Sequence, residues 1–260
     1  MIKFFKKIRQ KLLSENKFSK YLIYAVGEII LVVIGILIAL SINNWNQNLN
    51  QKEKEINLLK SLKINMERDL EEMNSFIKVQ RKIYSSGKLL LDYFDKDLPY
   101  QDSLKYHFGN TTSFFMWSNE ATTYKTITAI GVDIISNEAL RNSIVSYYEY
   151  VENSHPLFRK RYGDYLFSSI NDILKTRFEG FWYNEGVNDF WKTLDTNDAL
   201  TTMIPIDFES LKKDQEYRFF LNTIMNMYKW IIEGPFILQS NLVKSNIKQI
   251  EEEIEKLEQK

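Results

Sequence analysis

Few residues in this chain have the types and spacing that common catalytic or metal sites require. The 260-residue sequence contains no cysteine and two histidines, His107 and His155. It therefore lacks thiolate chemistry, a HExxH pair and a three-histidine zinc site. We expect each histidine at a partly exposed position in a loop or near the start of a helix. No catalytic residue, cofactor or metal ligand is predicted.

Glycines and carboxylates do not supply a motif either. The nine glycines are never closer together than Gly180 and Gly186, which excludes the G-x-G-x-x-G turn, the P-loop and the G-x-S-x-G elbow. Acidic neighbours such as Glu71 and Glu72 lie in a charged helical surface, and no pair stands in an apolar setting that would separate the two pKa values. The sequence predicts a protein that is not an enzyme.

One carboxylate is unusual, because Glu28 is the only strongly polar side chain between Tyr21 and Ile42. At a rise of ~1.5 Å per residue this run spans about 33 Å, and a bilayer core is about 30 Å thick. The sequence predicts a transmembrane helix over residues 21–42. A cleavable signal peptide is the alternative, since Ala39 and Ser41 have the small-x-small form of a cleavage site, but the run is longer than a usual h-region.

Glu28 shares one face of this helix with Gly35 and Ala39. Gly35-x-x-x-Ala39 is a small-x-x-x-small pattern that lets two helices approach closely. We therefore expect Glu28 to hydrogen-bond across a helix pair, to a second copy or to a membrane partner. The alternatives are that its carboxylate reaches towards Lys17 or Lys20, or is protonated.

The charge distribution predicts an orientation. The net charge is zero, but residues 1–20 carry seven basic side chains against the single acid Glu15. The positive-inside rule then places the N-terminus in the cytoplasm and residues 43–260 in the periplasm. Residues 1–20 are either a basic amphipathic helix on the membrane surface or only a topology signal. The exported segment is acidic on balance, so no nucleic-acid partner is expected.

Aromatic side chains crowd into the exported stretch "TRFEGFWYNEGVNDFWKTL". Rings in a loop interrupted by glycines can form a docking or ligand surface, or can hold the loop on the core by being buried. Both interpretations stay open. The candidate surface residues are Phe181, Trp182, Tyr183, Phe190 and Trp191.

The exported segment reads as all-α. Leu59, Leu62 and Met66 begin an apolar repeat of three or four residues, and Val243 begins a coiled-coil seam that ends at Leu257. Residues 52–63 are basic and residues 251–260 acidic, which favours antiparallel pairing of the two end helices. We predict a periplasmic helical bundle with long antiparallel amphipathic helices at its two ends.

Residues that typically start, end or bend helices predict the limits of further helices. One helix should end at Gly131, a second should start near Asn137, and a third should open at Pro156. The last helix should start near Asp207 and bend at Gly234-Pro235. Residues 95–117 and 180–205 read as loops or irregular links.

Two strings carry a resemblance to a known family: "MIKFFKKIRQKLLSENKFSKYLIYAVGEIILVVIGILIALSINNWN" and, more loosely, "TTYKTITAIGVDIISNEALRNSIVSYYE". They resemble an uncharacterised domain-of-unknown-function family of single-pass membrane proteins from Gram-negative bacteria. The resemblance implies an inner-membrane anchor and a periplasmic helical domain, and it implies no activity.

These observations predict a membrane-anchored interaction or scaffold protein of the cell envelope. It would contact the lipid bilayer and associate with itself, or with a helical membrane partner, through the anchor. A periplasmic ligand sensor that acts through a membrane partner is the alternative, and a periplasmic enzyme is favoured less.

Overall fold

The computed structural model of the chain describes residues 18–113, 119–183 and 201–259, with only the backbone at residues 18–21, 24 and 183. Most of the predicted basic tail, residues 1–17, lies outside this description. The chain divides into two compact units, Met1–Glu55 and Ile56–Lys260. The described residues are almost entirely helical, as the sequence predicts.

Helix α1 is by far the longest element and covers Phe18–Asp95. It contains no proline. Its segment at positions 22–42 is long and apolar enough to cross a membrane, judged by length and composition, and the apolar side chains there are mostly exposed. Within the second unit the same helix buries Leu59, Leu62 and Met66 completely. Their spacing of three and four residues is the predicted apolar stripe.

Six more helices follow α1 in the described part of the chain. Short 3₁₀ turns at Val132–Ile134 and Leu174–Thr176 and a π-helical turn at Ile232–Phe236 interrupt or extend them. The helices are α2 Leu104–Asn110, α3 Thr122–Ile130, α4 Glu138–Asp172, α5 Phe208–Lys213, α6 Gln215–Ile231 and α7 Ile237–Gln259.

The ends of several helices follow the predicted signals. Gly131 terminates α3 with a φ of 117°, a backbone conformation that side chains other than glycine rarely adopt. The Asn137 side chain accepts a hydrogen bond from the Leu140 amide at 3.2 Å and caps α4. Asp207 caps α5, but Asp214 then caps a new helix. The predicted last helix is therefore split into α5, α6 and α7.

The helix start predicted at Pro156 is wrong, whereas the bend predicted at Gly234-Pro235 stays a prediction at a point where the α-helix is interrupted. Pro235 lies in the π-helical turn between α6 and α7. Pro156 lies in the interior of α4, which continues through it. Val151 before the proline and Tyr162 after it are both buried, so packing on both sides holds α4 together despite the missing backbone donor.

Two regions predicted as loops contain regular structure. Helix α2 lies within residues 95–117, and its Phe108 is completely buried. Within residues 180–205, strand β1 (Trp182–Tyr183) pairs antiparallel with strand β2 (Thr201–Thr202). Both elements are too short to produce a periodic signal, and each is held by packing against distant parts of the chain.

The contacts of α7 show the relative directions of three helices. Lys60 of α1 pairs with Glu258 of α7 at 2.7 Å, and Lys63 pairs with Glu251 at 2.7 Å. The residue numbers therefore rise along α1 while those of their partners fall along α7. The partners of α4 follow the same trend, because Asn137 at its start donates to Glu253 at 2.6 Å and Ser143 further along donates to Asn246 at 2.5 Å. Helix α7 therefore runs antiparallel to both α1 and α4. Its predicted seam is buried at Val243 and Ile250, while a coiled-coil supercoil stays a prediction.

A cluster of aromatic rings fills the core beside α2. Phe108 makes edge contacts with Phe178 at 5.2 Å and with Phe208 at 6.4 Å, measured between ring centroids. Phe178 also contacts Tyr217 of α6 at 5.4 Å. Edge contacts of this kind add about 0.5–1.5 kcal/mol beyond the area that the rings bury. They fix α2, α5 and α6 on a common core.

Candidate functional site

The aromatic stretch around residue 181 divides between core and surface. Phe178 is buried, whereas Phe181 and Trp182 are 38% and 44% exposed. Burial of Phe178 therefore holds part of the stretch on the core, while a docking or ligand surface at the exposed rings stays a prediction. Tyr183 belongs to β1 and aligns with Thr201, while its side chain is not described. Phe190 and Trp191 lie outside the described residues.

Phe181 borders a small cavity of about 240 Å³. Next to it the Trp182 ring lies over Gly180, where a Cβ atom would be 2.9 Å from the ring. A side chain at position 180 would therefore force the exposed Trp182 ring to move. The cavity is lined by Ile170, Leu174, Lys175, Phe178, Glu179, Gly180, Phe181 and Met203.

The predicted helix-packing residues lie in the exposed, apolar part of α1. Gly35 and Ala39 are exposed and Glu28 is half-buried. A Cβ atom added at Gly35 would meet nothing within 4 Å, so the packing of this chain does not itself require glycine there.

Asp69 is an ionisable group that sequence analysis missed. Its carboxylate accepts hydrogen bonds from the Glu120 amide at 2.6 Å and from the Tyr147 hydroxyl at 2.8 Å. The Tyr148 hydroxyl donates to the Glu120 carbonyl at 3.4 Å, and the Tyr148 ring stacks on Tyr124 with centroids 4.2 Å apart. This group of side chains joins α1, α3 and α4. We call these five residues the Asp69 cluster.

The Asp69 cluster shifts the pKa values of its two carboxyl groups in opposite directions. Burial raises the pKa of Asp69 to about 6. The pKa of Glu120 is instead lowered, because the Thr122 hydroxyl donates to its carboxylate. A separation of this kind is typical of acid and base pairs, but Asp69 is only 1% exposed. A group so enclosed holds helices together and does not contact a substrate in solution.

The prediction of a partly exposed histidine near the start of a helix holds for His107 and is wrong for His155. His155 lies in the interior of α4 and is buried, and burial followed by the charge of Arg159 lowers its pKa to about 4. Its ring contacts Phe236 with centroids 6.3 Å apart. His107 is half-buried in α2, with Nδ1 3.1 Å from the Ser86 hydroxyl. The error at His155 arises because the sequence alone does not show that α4 continues through Pro156.

A larger cleft opens between α4 and α6, with a volume of about 730 Å³. Volumes of this size are common among small-molecule sites. Sequence analysis missed the cleft, because its two walls are 50 to 70 residues apart and each looks like an ordinary helix surface. Among the described residues, no group of three or more His, Cys, Asp or Glu side chains could hold a metal ion.

Fold and surface together define a nearly all-α protein in which one helix has an apolar segment long enough to cross a membrane. Residues 28–174 match the family of unknown function DUF6090, and the chain belongs to this family. The match extends from the apolar segment through α4 and ends before α5. No curated protein and no solved structure matches the chain.

Proposed function

We propose that this protein is a membrane-anchored interaction or scaffold protein of the bacterial cell envelope. Residues 21–42 span the inner membrane with the N-terminus in the cytoplasm, and residues 43–260 form a periplasmic helical bundle. The observation that carries the proposal is the exposed apolar surface of α1, where Ile23, Ile29 and Ile42 are 72%, 64% and 61% exposed. Large exposed apolar surfaces are unfavourable in water and favourable in a bilayer.

The anchor also provides a face for another helix. At about 100° per residue, Gly35 and Ala39 lie within about 20° of Glu28 around the helix axis, and Leu37 lies on the opposite side. The open space at Gly35 supports this face, because a glycine that its own chain does not need can admit a neighbouring backbone. Glu28 lies ~10 Å into the span, where a polar contact from a second helix offsets its insertion cost.

The absence of cysteine makes the topology directly testable. Ser14→Cys and Ala129→Cys introduce single thiols before the anchor and on the exposed surface of α3. In cells with a permeabilised outer membrane, an impermeant maleimide should label Ala129→Cys at once and Ser14→Cys only after lysis. Alkaline carbonate should leave both variants in the membrane. Labelling in the reverse order, or release by carbonate, would overturn the proposal.

A second experiment tests the helix-packing face. Ala39→Cys should form an oxidant-dependent disulfide dimer in native membranes, or a mixed product with one partner, while Leu37→Cys at a similar depth should not. Glu28→Gln should weaken this crosslinking while Val26→Gln, on the opposite side of the helix, should not. Equal crosslinking at positions 37 and 39 would show that the predicted face is not the contact.

Ligand sensing is the second candidate function. The observation that favours it is the cleft between α4 and α6, which lies within the second unit and contains both aromatic and polar groups. A sensor of this kind would pass its signal to a membrane partner through the anchor. A ligand that changes the Ala39→Cys crosslinking yield would support this role over a passive scaffold.

A further inference from the structure

The cleft between α4 and α6 has the size and the mixed chemistry of a ligand site. Helix α4 contributes one wall and helix α6 the other. Along α6 the lining extends from Phe219 to Trp230, which is ~16 Å of helix. The lining residues are Arg161, Tyr162, Tyr165, Phe219, Asn222, Thr223, Asn226, Met227 and Trp230.

Aromatic rings at both ends of the cleft are exposed. Phe219 is 65% and Trp230 is 55% exposed, although both lie on a helix whose opposite face is buried in the core. The Trp230 ring is held by Phe158, with centroids 5.8 Å apart. Tyr165 stacks on the buried Phe220 at 6.3 Å. The cleft therefore offers flat apolar surfaces, and the orientations of the Trp230 and Tyr165 rings are supported by neighbouring rings before any ligand arrives.

The polar groups between these rings have unused hydrogen-bonding capacity. The Tyr165 hydroxyl is buried and has no hydrogen-bond partner among the described residues. Arg161 is exposed and forms no ion pair within the described part of the chain. Thr223 and Asn226 likewise form no side-chain hydrogen bond there. The Arg161 cation, the Thr223 hydroxyl and the Asn226 amide are thus available to one ligand.

We propose that this cleft binds an acidic saccharide. The C–H face of a sugar ring would stack on Phe219 or Trp230, while its hydroxyls would exchange hydrogen bonds with Thr223 and Asn226. Arg161 would pair with the carboxylate, because guanidinium groups bind carboxylates through two parallel hydrogen bonds.

Other classes of ligand would use fewer of the aromatic, polar and charged side chains that line the cleft. A flat aromatic acid would occupy the rings and Arg161, but it would displace water from Thr223 and Asn226 without replacing those hydrogen bonds. A neutral saccharide would leave Arg161 without a counter-charge. An acidic saccharide satisfies the aromatic, hydroxyl, amide and cationic groups together, which is why the observations favour it.

A glycan array provides the first test. The full chain in detergent micelles is applied to uronic-acid di- and trisaccharides, to their methyl esters and to neutral saccharides of the same length. We expect retention on the acids and at least about tenfold weaker retention on the esters. Retention on no acidic glycan would overturn the proposal, as would equal retention on acids and esters.

Matched variants then locate the site on the strongest binder by titration calorimetry. Arg161→Gln should weaken binding by about tenfold or more, whereas Arg159→Gln makes the same charge change outside the cleft and should leave the affinity unchanged. Phe219→Ala should also weaken binding, while Phe167→Ala, exposed on α4 away from the cleft, should not.

Two further outcomes count against the inference. The inference would be contradicted if each variant in the cleft bound the saccharide as tightly as its control variant outside the cleft. Binding of 2-naphthoate as tight as that of the best uronic-acid trisaccharide would favour an aromatic acid as the ligand. Phe219 and Arg161 are both exposed, so their substitution should preserve the fold, and a far-ultraviolet circular dichroism spectrum verifies this.

Discussion

Tyr147 donates a hydrogen bond to the buried carboxylate of Asp69 at 2.8 Å, across 78 residues of sequence. Asp69 lies on α1 and Tyr147 on α4, and both side chains are almost completely removed from solvent. The contact joins two long helices through a single ionisable group. The stability of the helical domain should therefore depend on the protonation of Asp69.

The first prediction concerns this pH dependence. Burial raises the pKa of Asp69 from 3.8 in its ordinary state to about 6, so the folded state binds the proton more tightly than the unfolded state. Asp69 then contributes stability that increases as the pH falls from about 6 to 4, by up to ~3 kcal/mol. Relative to Asp69→Asn, which stays neutral, the native chain should gain stability over this range. Urea unfolding between pH 4 and pH 8 measures the difference.

Tyr147→Phe provides the control for this prediction. It removes one donor to Asp69 and keeps the ring, so it should lower the free energy of unfolding by about 1.5–3 kcal/mol at pH 7. In the Asp69→Asn background the same change should cost less, because the acceptor is no longer charged. Additive effects of the two substitutions would contradict the coupling.

The second prediction concerns His155, whose effect has the opposite sign. Burial lowers its pKa from 6.5 to about 4, so the unfolded state takes up the proton first as the pH falls. His155 should therefore destabilise the fold progressively between pH 6.5 and pH 4, by up to ~3 kcal/mol. His155→Gln should remove this loss. If the difference in unfolding free energy between the native chain and His155→Gln does not change with pH, His155 is accessible to protons in the folded state.

The third prediction concerns Gly131. Its φ of 117° is strained for any residue with a side chain, although an added Cβ would meet no atom within 4 Å. Gly131→Ala should therefore lower the free energy of unfolding by about 1–3 kcal/mol through backbone strain alone. Thr128→Ala, exposed on the preceding helix, should change it by less than about 0.5 kcal/mol. Similar unfolding midpoints in urea for the two variants would contradict the prediction.

The fourth prediction compares two crowded glycines. A Cβ at Gly109 would lie 2.0 Å from the Thr201 carbonyl oxygen, and a Cβ at Gly87 would lie 2.6 Å from Cγ of Met225. Backbone cannot move aside as a flexible methionine can. Gly109→Ala should therefore destabilise the domain by ~3 kcal/mol or more and disrupt the contact between α2 and β2. Gly87→Ala should cost much less, and thermal unfolding of both variants makes the comparison.

Local signals explain most of the correct predictions. Apolar residues at intervals of three and four predict α1 and α7, and the end signals Gly131, Asn137 and Asp207 lie where the helices stop or start. The apolar run from residue 21 to 42 is likewise visible in composition alone. Each of these features depends on neighbours within one or two helical turns, so no knowledge of distant contacts is needed.

The errors have a common cause in contacts between distant segments. Pro156 looks like a helix start until core residues on both sides are seen to hold α4 continuous. Helix α2 has seven residues, too few to show a period, and it is fixed by Phe108 against rings from α5 and α6. Local propensity is a weak guide wherever burial elsewhere decides the conformation.

The sequence by itself determined the helical class, the apolar span with Glu28, and the absence of the familiar cysteine, histidine and glycine motifs. Only the tertiary structure decided that Asp69 is buried, because the Glu120 amide and the Tyr147 hydroxyl that accompany it come from 51 and 78 residues away. It also decided that Arg161 and Phe219 border one cleft. The physical reason is that hydrogen-bonding periodicity is a local property of the chain, whereas the environment of a side chain is set by whichever segments pack against it.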